Sequence, residues 1–221
     1  MIGIIRKYPL AFMLFAVFLA TGTVLALAVP KAELHLFLNG SHSPFKDAFF
    51  RSVTLFGNGW FALGLSLLFL LYSYRSSLMM ILSYSLSGLV AQFFKHVVFP
   101  GATRPAEWMD RMPGLPLVPG VGLHHAFSFP SGHATTAFAV LLLAGLVPRN
   151  RPIFFWVMIL AWCVAYSRVY LSQHFLEDIL AGAVLGTLSA LFFYWYFHRL
   201  KPDWLDRSLP DLFPGRKKKA S

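Results

Sequence analysis

The stretch from residue 152 to residue 197 reads PIFFWVMILAWCVAYSRVYLSQHFLEDILAGAVLGTLSALFFYWYF. It consists of two long apolar runs, 152–170 and 175–197, separated by a short segment that contains serine, glutamine and histidine. An apolar run of about 20 residues can cross the hydrocarbon core of a bilayer as an α-helix. The stretch therefore predicts two membrane-spanning helices joined by a tight polar connection.

Apolar runs of this kind recur along the whole chain of 221 residues. Hydrophobic residues make up 57% of the sequence and charged residues only 13%, which is too little charge to cover a water-soluble protein of this size. Six runs predict spans at about residues 8–29, 54–74, 78–98, 132–147, 152–170 and 175–197. We therefore expect an all-α membrane protein, a six-transmembrane-helix bundle that forms a single domain over residues 1–221.

The basic residues predict how the bundle is oriented. The net charge of +10 arises from lysines and arginines that flank the apolar runs and from a basic tail at 199–221, which ends in a cluster at 216–219. If the N-terminus is cytoplasmic, most of the basic residues fall on the cytoplasmic side, in agreement with the positive-inside rule. We predict a multi-pass protein of the cell (inner) membrane with both termini in the cytoplasm. No folded basic surface remains for nucleic acid.

Three polar segments fall at the predicted outer ends of spans three to six. The third span ends near Lys95, and Arg104-Pro105 follows it. The fourth span begins with Pro130-Ser131-Gly132-His133, and the last two spans are connected by a segment with Ser167-Arg168, His174 and Asp178. Ionisable residues at a membrane boundary are costly and are usually functional. The predicted topology brings these residues together from three separate places.

The residue types in these segments predict an anion site. Lys95, Arg104 and Arg168 supply three positive charges, which suits a group with two or more negative charges, such as phosphate. Arginine can also bind phosphate in a bidentate manner. Ser131 and Gly132 stand where a helix begins, and there the free backbone N–H groups and the helix dipole favour an anion.

The histidines add chemistry to this anion site. His174 and Asp178 are four residues apart, so on a helix they share a face. A carboxylate at one ring nitrogen fixes the tautomer and raises the nucleophilicity of the other nitrogen. His133, at the start of another helix, would then be the general acid for the leaving oxygen. This is the logic of a catalytic triad with histidine itself as the nucleophile.

Taken together, these segments resemble the three signature motifs of the type 2 phosphatidic acid phosphatase (PAP2) superfamily, which also contains the vanadium haloperoxidases. The second motif, at 130–133, and the third, from Ser167 to Asp178, match in residue type and spacing. The first motif departs from the pattern, because eight residues separate Lys95 from Arg104 where the common pattern has six. A turn at Phe99-Pro100-Gly101 would absorb the two extra residues. The motif core would occupy about 78–198.

The resemblance implies a PAP2/haloperoxidase-like core and an integral-membrane lipid phosphatase that needs no metal or other cofactor. It implies that His174 forms a phosphohistidine that water hydrolyses, that Asp178 assists His174, and that His133 protonates the leaving group. It further implies that the phosphoryl oxygens are bound by Lys95, Arg104, Ser131, Gly132 and Arg168.

Several alternatives stay open at this stage. Undecaprenyl diphosphate, lipid A, phosphatidylglycerophosphate and phosphatidate all present a phosphate on a membrane anchor. A lipid phosphotransferase would use the same histidine chemistry, and a lipid transporter or scramblase would use the basic cluster to hold a head group, although no inverted repeat is visible. His124 and His125 lack a carboxylate or cysteine that would complete a metal site, and we expect them to line the substrate entrance.

Overall fold

The computed structural model describes residues 2–212, so the predicted basic cluster at 216–219 lies outside the described residues. Within this range the secondary structure is helical and contains no strand, which confirms the all-α prediction. The described part of the chain contains nine α-helices, α1 to α9, at Ile2–Lys7, Pro9–Ala28, Lys31–Asn39, Pro44–Val53, Gly59–Leu68, Tyr74–Phe93, Gly132–Leu146, Arg151–Tyr170 and Leu176–Arg199. A π-helical turn, Phe94–Val98, continues α6, and 3₁₀ turns lie at Thr54–Gly57, Phe69–Leu71, Pro105–Arg111, Asp203–Asp206 and Leu209–Leu212.

Four of the helices in residues 2–212 are long and apolar enough to cross a membrane by themselves, namely α2, α6 with its π-helical turn, α8 and α9. They correspond to the predicted spans at 8–29, 78–98, 152–170 and 175–197. A fifth candidate is the helix pair Pro44–Gly57 and Gly59–Leu71, which bends by 61°. Helix α7 corresponds to the predicted span at 132–147 but has only 15 residues. The chain is thus a multi-pass helical protein, and the predicted count of six spans is not confirmed.

The predicted span at 54–74 is not a single straight helix. Its first residues form the turn Thr54–Gly57, and the side chain of Asn58 then accepts a hydrogen bond from the N–H of Trp60 and begins α5. Gly57 is packed so closely that a Cβ atom there would lie 2.9 Å from Cβ of His133. A hydropathy profile contains no information about helix caps or close contacts. For this reason the apolar run at 54–74 predicts one span.

Helix α7 forms the centre of the bundle and packs against α6, α8 and α9. Twelve of its fifteen residues are buried, and so are Ser128 and Pro130 in the turn that precedes it. A short helix is tolerated there because neighbouring protein, rather than lipid, surrounds its polar start. Gly182 of α9 allows close packing on this start, since a Cβ atom at Gly182 would lie 2.6 Å from the carbonyl oxygen of Ser131.

The antiparallel order of α6 to α9 gives the bundle two distinct ends. We call "site end" the end where α6 and α8 finish and where α7 and α9 begin, and "opposite end" the end where α6 and α8 begin. All three predicted motifs lie at the site end. Helices α3 and α4, which precede the motifs in the chain, pack against α8.

Candidate active site

His174 lies in the tight connection between α8 and α9. Its backbone N–H donates to the carbonyl of Arg168 at 3.1 Å, and the N–H of Gln173 donates to the same oxygen at 2.9 Å. The ring Nδ1 of His174 lies 3.3 Å from Oδ2 of Asp178, and both side chains are only 2% exposed. The structure therefore contains the pair predicted from the four-residue spacing, and the pair is buried.

Ser128 joins this pair from the loop that precedes α7. Its hydroxyl donates to Oδ2 of Asp178 at 2.5 Å and lies 3.3 Å from Nδ1 of His174. The N–H of Phe175 donates to the same carboxylate oxygen at 3.0 Å. Sequence reasoning missed Ser128, because a loop serine outside the motifs carries no distinctive spacing. Its only signal was its position two residues before Pro130.

The surroundings of His174 keep its imidazole neutral. Burial lowers the pKa of His174 well below its usual value, and the positive charges of Arg104, Arg168 and Lys95 lower it further. A neutral imidazole carries a lone pair on one of its two nitrogens. Because Asp178 and Ser128 occupy the Nδ1 side, the lone pair belongs on Nε2, which is the form that a histidine nucleophile requires.

Lys95 and Arg104 are held side by side by adjacent backbone carbonyls. The ammonium group of Lys95 donates to the carbonyl of Phe127 at 3.0 Å, and Nε of Arg104 donates to the carbonyl of Ala126 at 2.9 Å. A second nitrogen of Arg104, Nη1, donates to the carbonyl of Gln173 at 3.2 Å and so links this loop to the His174 connection.

The longer gap between Lys95 and Arg104 is absorbed locally. The N–H of Ala102 donates to the carbonyl of Phe99 at 3.1 Å, which closes a turn at the predicted place. The π-helical turn Phe94–Val98 takes up further chain before it. The first motif is therefore present in three dimensions, although its spacing departs from the common pattern.

Arg168 reaches the site from the last turn of α8. Its Nη1 donates to Oγ1 of Thr54 at 2.8 Å, while its Nε is buried and has no partner among the described residues. A buried guanidinium N–H without an acceptor is unfavourable unless a ligand supplies one. Sequence reasoning also missed Thr54, because it placed residue 54 at the start of a membrane span.

Lys95, Arg104 and Arg168 form no ion pair with a carboxylate within residues 2–212. The ion pairs in that range instead involve other cations or histidines, namely Lys31, His42, Arg75, His125 and His174. Burial lowers the pKa of Arg104, as expected of a cation withdrawn from water. Positive charge that no carboxylate contacts directly, at a partly buried site, favours the binding of an anion.

The start of α7 offers backbone donors beside these cations. Ser131 is fully buried and caps the helix, with its Oγ 3.5 Å from the N–H of Ala134. The N–H groups of Gly132 and His133 have no hydrogen-bond acceptor in the described part of the chain. No heavy atom lies within 4 Å of the position of a Cβ atom at Gly132, so an anion can approach the helix start closely.

Three further histidines belong to this region: His133 lies in the first turn of α7, and the His124-His125 pair lies in the loop before α7. The ring of His133 lies within Coulomb range of Arg168 and His174. Nδ1 of His125 lies 2.5 Å from Oε1 of Glu107, and both side chains are exposed. Burial lowers the pKa of His124, and the positive charges of Arg104 and Arg168 lower it further, so His124 lies within Coulomb range of the same cations. Their expected role at a substrate entrance stays a prediction.

Comparison with known proteins agrees with this fold. The family model of the PAP2 superfamily matches residues 76–202, which are more than half of the chain, and the protein therefore belongs to the PAP2 superfamily. The resemblance seen in the motifs is thereby confirmed.

Similar proteins within this superfamily include lipid A phosphatases. The chain is 28% identical to the lipid A 4′-phosphatase of Bacteroides thetaiotaomicron over 177 residues, which cover 76% of this chain and 77% of that protein. It is 28% identical to the lipid A 4′-phosphatase of Porphyromonas gingivalis over 186 residues, covering 80% and 77%. The crystal structure of Aquifex aeolicus LpxE matches with a TM-score of 0.65 at 24% identity, over 74% of this chain and 94% of that chain, which indicates a shared fold.

Proposed function

We propose that the protein is an integral-membrane phosphatase that removes a phosphate monoester or diphosphate group from a lipid through a phosphohistidine at His174. One observation carries the proposal. A buried, neutral histidine, oriented by Asp178, shares one end of the bundle with three cations that have no carboxylate partner among the described residues. Such a site suits the transfer of a phosphoryl group, whose transition state is stabilised by fixed positive charge and backbone donors.

In the first step, Nε2 of His174 attacks the phosphorus atom while Lys95, Arg104 and Arg168 bind the phosphoryl oxygens. The N–H of Gly132 and the hydroxyl of Ser131 add donors at the helix start. The bond between phosphorus and the lipid oxygen breaks, and that oxygen takes a proton from His133.

In the second step, the oxygen of a water molecule attacks the phosphorus atom of the phosphohistidine. The phosphorus–nitrogen bond breaks and its electron pair returns to Nε2 of His174. The water gives a proton to His133, which restores the general acid for the next turnover. Asp178 stays hydrogen-bonded to the Nδ1 side of His174 throughout and stabilises the positive charge that forms on the ring.

A membrane lipid as the substrate is supported by the apolar helices and by the lipid A phosphatases among the similar proteins. We propose that α7 and the bent pair α4–α5 complete six spans. We also propose that the site end faces the periplasm while both termini are cytoplasmic, because this orientation leaves most of the basic residues inside. Lipid A is the first substrate to test, and undecaprenyl diphosphate, phosphatidylglycerophosphate and phosphatidate complete the panel.

The test is phosphate release by the purified protein in detergent from each of these four lipids. His174→Ala should lower kcat by at least ~10³-fold, because the residue that forms the covalent intermediate is lost. His198→Ala is a matched control, since His198 lies at the opposite end, where its Nδ1 contacts the carbonyl of Tyr194 at 2.7 Å. We expect this control to keep the wild-type rate within about twofold.

Full activity of His174→Ala would contradict the proposed chemistry. The same assay with added chelator checks the metal-independent mechanism, for which the rate should be unchanged. If the phosphate appears on a second lipid instead of in solution, the protein is a phosphotransferase rather than a hydrolase.

A further inference from the structure

The connection between α8 and α9, which contains His174, contacts Asn39, a residue outside the range 76–202 that matches the family model. Asn39, the last residue of α3, is fully buried and its amide nitrogen donates to Oγ of Ser172 at 2.5 Å. The same nitrogen lies 3.4 Å from the carbonyl oxygen of Val169. The side chain of Asn39 therefore reaches into the connection two residues before His174.

Ser172 is held in an unusual backbone conformation at this point. Its φ is 51°, in the left-handed region that residues other than glycine rarely adopt. Such a residue persists when its surroundings hold it there. A second buried side chain of α3 contributes, because Nε2 of His35 lies 3.4 Å from the hydroxyl of Ser172. Two side chains of α3 thus meet one strained residue of the connection.

A second line of contacts starts from Asn39 and returns to the end of α8. The amide oxygen of Asn39 accepts a hydrogen bond from Nε2 of His42 at 2.6 Å. Nδ1 of His42 lies 3.2 Å from Oδ1 of Asp47, which also accepts a hydrogen bond from the hydroxyl of Tyr170 at 2.5 Å. The rings of His42 and Tyr170 stack with centroids 4.3 Å apart.

The two lines of contact form one network that begins at Ser172 and ends at Tyr170. We call it the α3–α4 network, and it consists of His35, Asn39, His42, Asp47, Tyr170 and Ser172. One end is the last residue of α8 and the other end lies in the connection between α8 and His174. A buried and connected polar network of this kind specifies one conformation of the backbone that it holds.

We propose that Asn39 and Ser172 are positioning residues for His174. They hold the 170–174 connection in the one conformation that sets His174 against Asp178 and beside the three cations. The inference rests on the proposed function, because it assigns these residues a role in the chemistry of His174. A displacement of about 1 Å in a reacting group can cost ~10²-fold in rate, so a loss of this support acts mainly on kcat.

The test compares Asn39→Ala with Ser83→Ala, a variant that removes a buried polar contact elsewhere. The hydroxyl of Ser83 donates to that of Ser189 at 3.2 Å between α6 and α9, away from the network. Asn39→Ala should lower kcat about 10- to 100-fold while KM changes less than about threefold. Ser83→Ala should lower the Tm but keep kcat within about twofold, because it removes a buried hydrogen bond outside the network.

Ser172→Ala removes the other partner and provides a second route to the same result. We expect a loss of kcat similar to that of Asn39→Ala, and we expect Asn39→Ala/Ser172→Ala to be no slower than the worse single variant, because the two residues act as one unit. Ser172→Gly adopts the left-handed conformation without strain but lacks the hydroxyl, so it should be as slow as Ser172→Ala if the hydrogen bond to Asn39 holds the connection.

Two outcomes separate the positioning role from the proposed function. If the wild type is active and both Asn39→Ala and Ser172→Ala keep its kcat, the positioning role is wrong, even if the Tm falls. The proposed function would then still stand. A wild type that releases no phosphate from any lipid of the panel would overturn the proposed function and, with it, the positioning role.

Discussion

The two ends of the helix bundle hold their cations in different ways. At the site end, Lys95 and Arg104 are bonded to backbone carbonyls, and Arg168 is bonded to the hydroxyl of Thr54. At the opposite end, Arg75 binds the carboxylate of Asp206 through two parallel contacts of 2.6 and 2.9 Å. The site end also leaves Nε of Arg168 without a partner among the described residues, and only the opposite end pairs its cation with a carboxylate.

The two kinds of contact correspond to two roles. The cations at the site end can bind an anion, whereas Arg75 links separate parts of the structure. The Nη1 of Arg75 also donates to the carbonyls of Phe197 and Leu200, so that one side chain joins the start of α6, the end of α9 and the turn Asp203–Asp206. A guanidinium with a bidentate carboxylate has little capacity left for a ligand. A cation that is solvated only by neutral oxygens keeps its full charge for an incoming anion.

The volume of a cavity does not distinguish the two ends as the counter-ions of the arginines do. A cavity of about 1110 Å³ lies at the opposite end, where Arg75 and Asp206 form part of its wall. The counter-ion of each arginine is therefore a better guide to the chemistry than the volume beside it.

The largest expected effect comes from making the same substitution at both ends. Arg168→Gln should lower kcat/KM for phosphate release about 10²- to 10³-fold, the usual cost of removing one group that stabilises the transition-state charge. Arg75→Gln should leave kcat/KM within about threefold and lower the Tm by a few degrees, because a partly exposed ion pair contributes up to about 1 kcal/mol. The assay uses equal amounts of monodisperse protein in detergent. Equal losses in the two variants would contradict the distinction between the ends.

A smaller effect is expected when a carboxylate is placed beside Arg168, which has no carboxylate partner among the described residues. Thr54→Asp puts a carboxylate where Nη1 of Arg168 now meets a hydroxyl, and so reproduces the pairing of Arg75 with Asp206. Product inhibition by inorganic phosphate should weaken about tenfold, because part of the positive charge is cancelled.

Thr54→Ser is the matched control for this substitution. It keeps the hydroxyl that Arg168 binds and should leave the inhibition constant of phosphate close to the wild-type value. An unchanged inhibition constant in Thr54→Asp would show that the charge of Arg168 does not act on the bound anion.

The parts of the site that could be predicted from the sequence are those with a local spacing. His174 and Asp178 are four residues apart in the sequence, and Gly132 with Ser131 marks a helix start, so the chemistry of each can be inferred without knowledge of the fold. The structure places His174 in the connection just before α9 rather than within the helix. Ser128 lies 50 residues from Asp178 in the chain, and no local pattern links the two. The contact of Thr54 with Arg168 is likewise a product of packing.

The fold, like the site, could be predicted where the signal is local in the sequence. Long apolar runs predict α2, α6, α8 and α9, because a span needs only length and apolar composition. The segment at 54–74 differs, since Asn58 caps a new helix there and Gly57 packs against His133. A helix cap and a close contact depend on individual atoms and on residues that are distant in the sequence. A hydropathy profile averages over many residues and does not contain this information.

The smallest effect that we predict is a shift in pH dependence. Burial lowers the pKa of His174 and nearby cations, Arg104 foremost, lower it further. The proposed nucleophile is active when neutral, so on the acid side kcat/KM falls as the pH drops through the pKa of His174. The alkaline limb belongs to His133, which must carry a proton to act as the general acid. The wild type should therefore stay active below pH ~6.5, the ordinary pKa of histidine.

Arg104→Gln removes one of these positive charges, so the pKa of His174 should rise and the acid limb of kcat/KM should move to higher pH by about half a unit to one unit. Arg75→Gln removes the same charge at the opposite end, further away than the ~10 Å over which charges act in 0.1 M salt, and should leave the limb in place. The titration of the lipid phosphate itself is common to all three proteins and cancels in the comparison. A limb that moves in both variants, or in neither, would mean that the charges at the site end do not act on His174 in the way their geometry predicts.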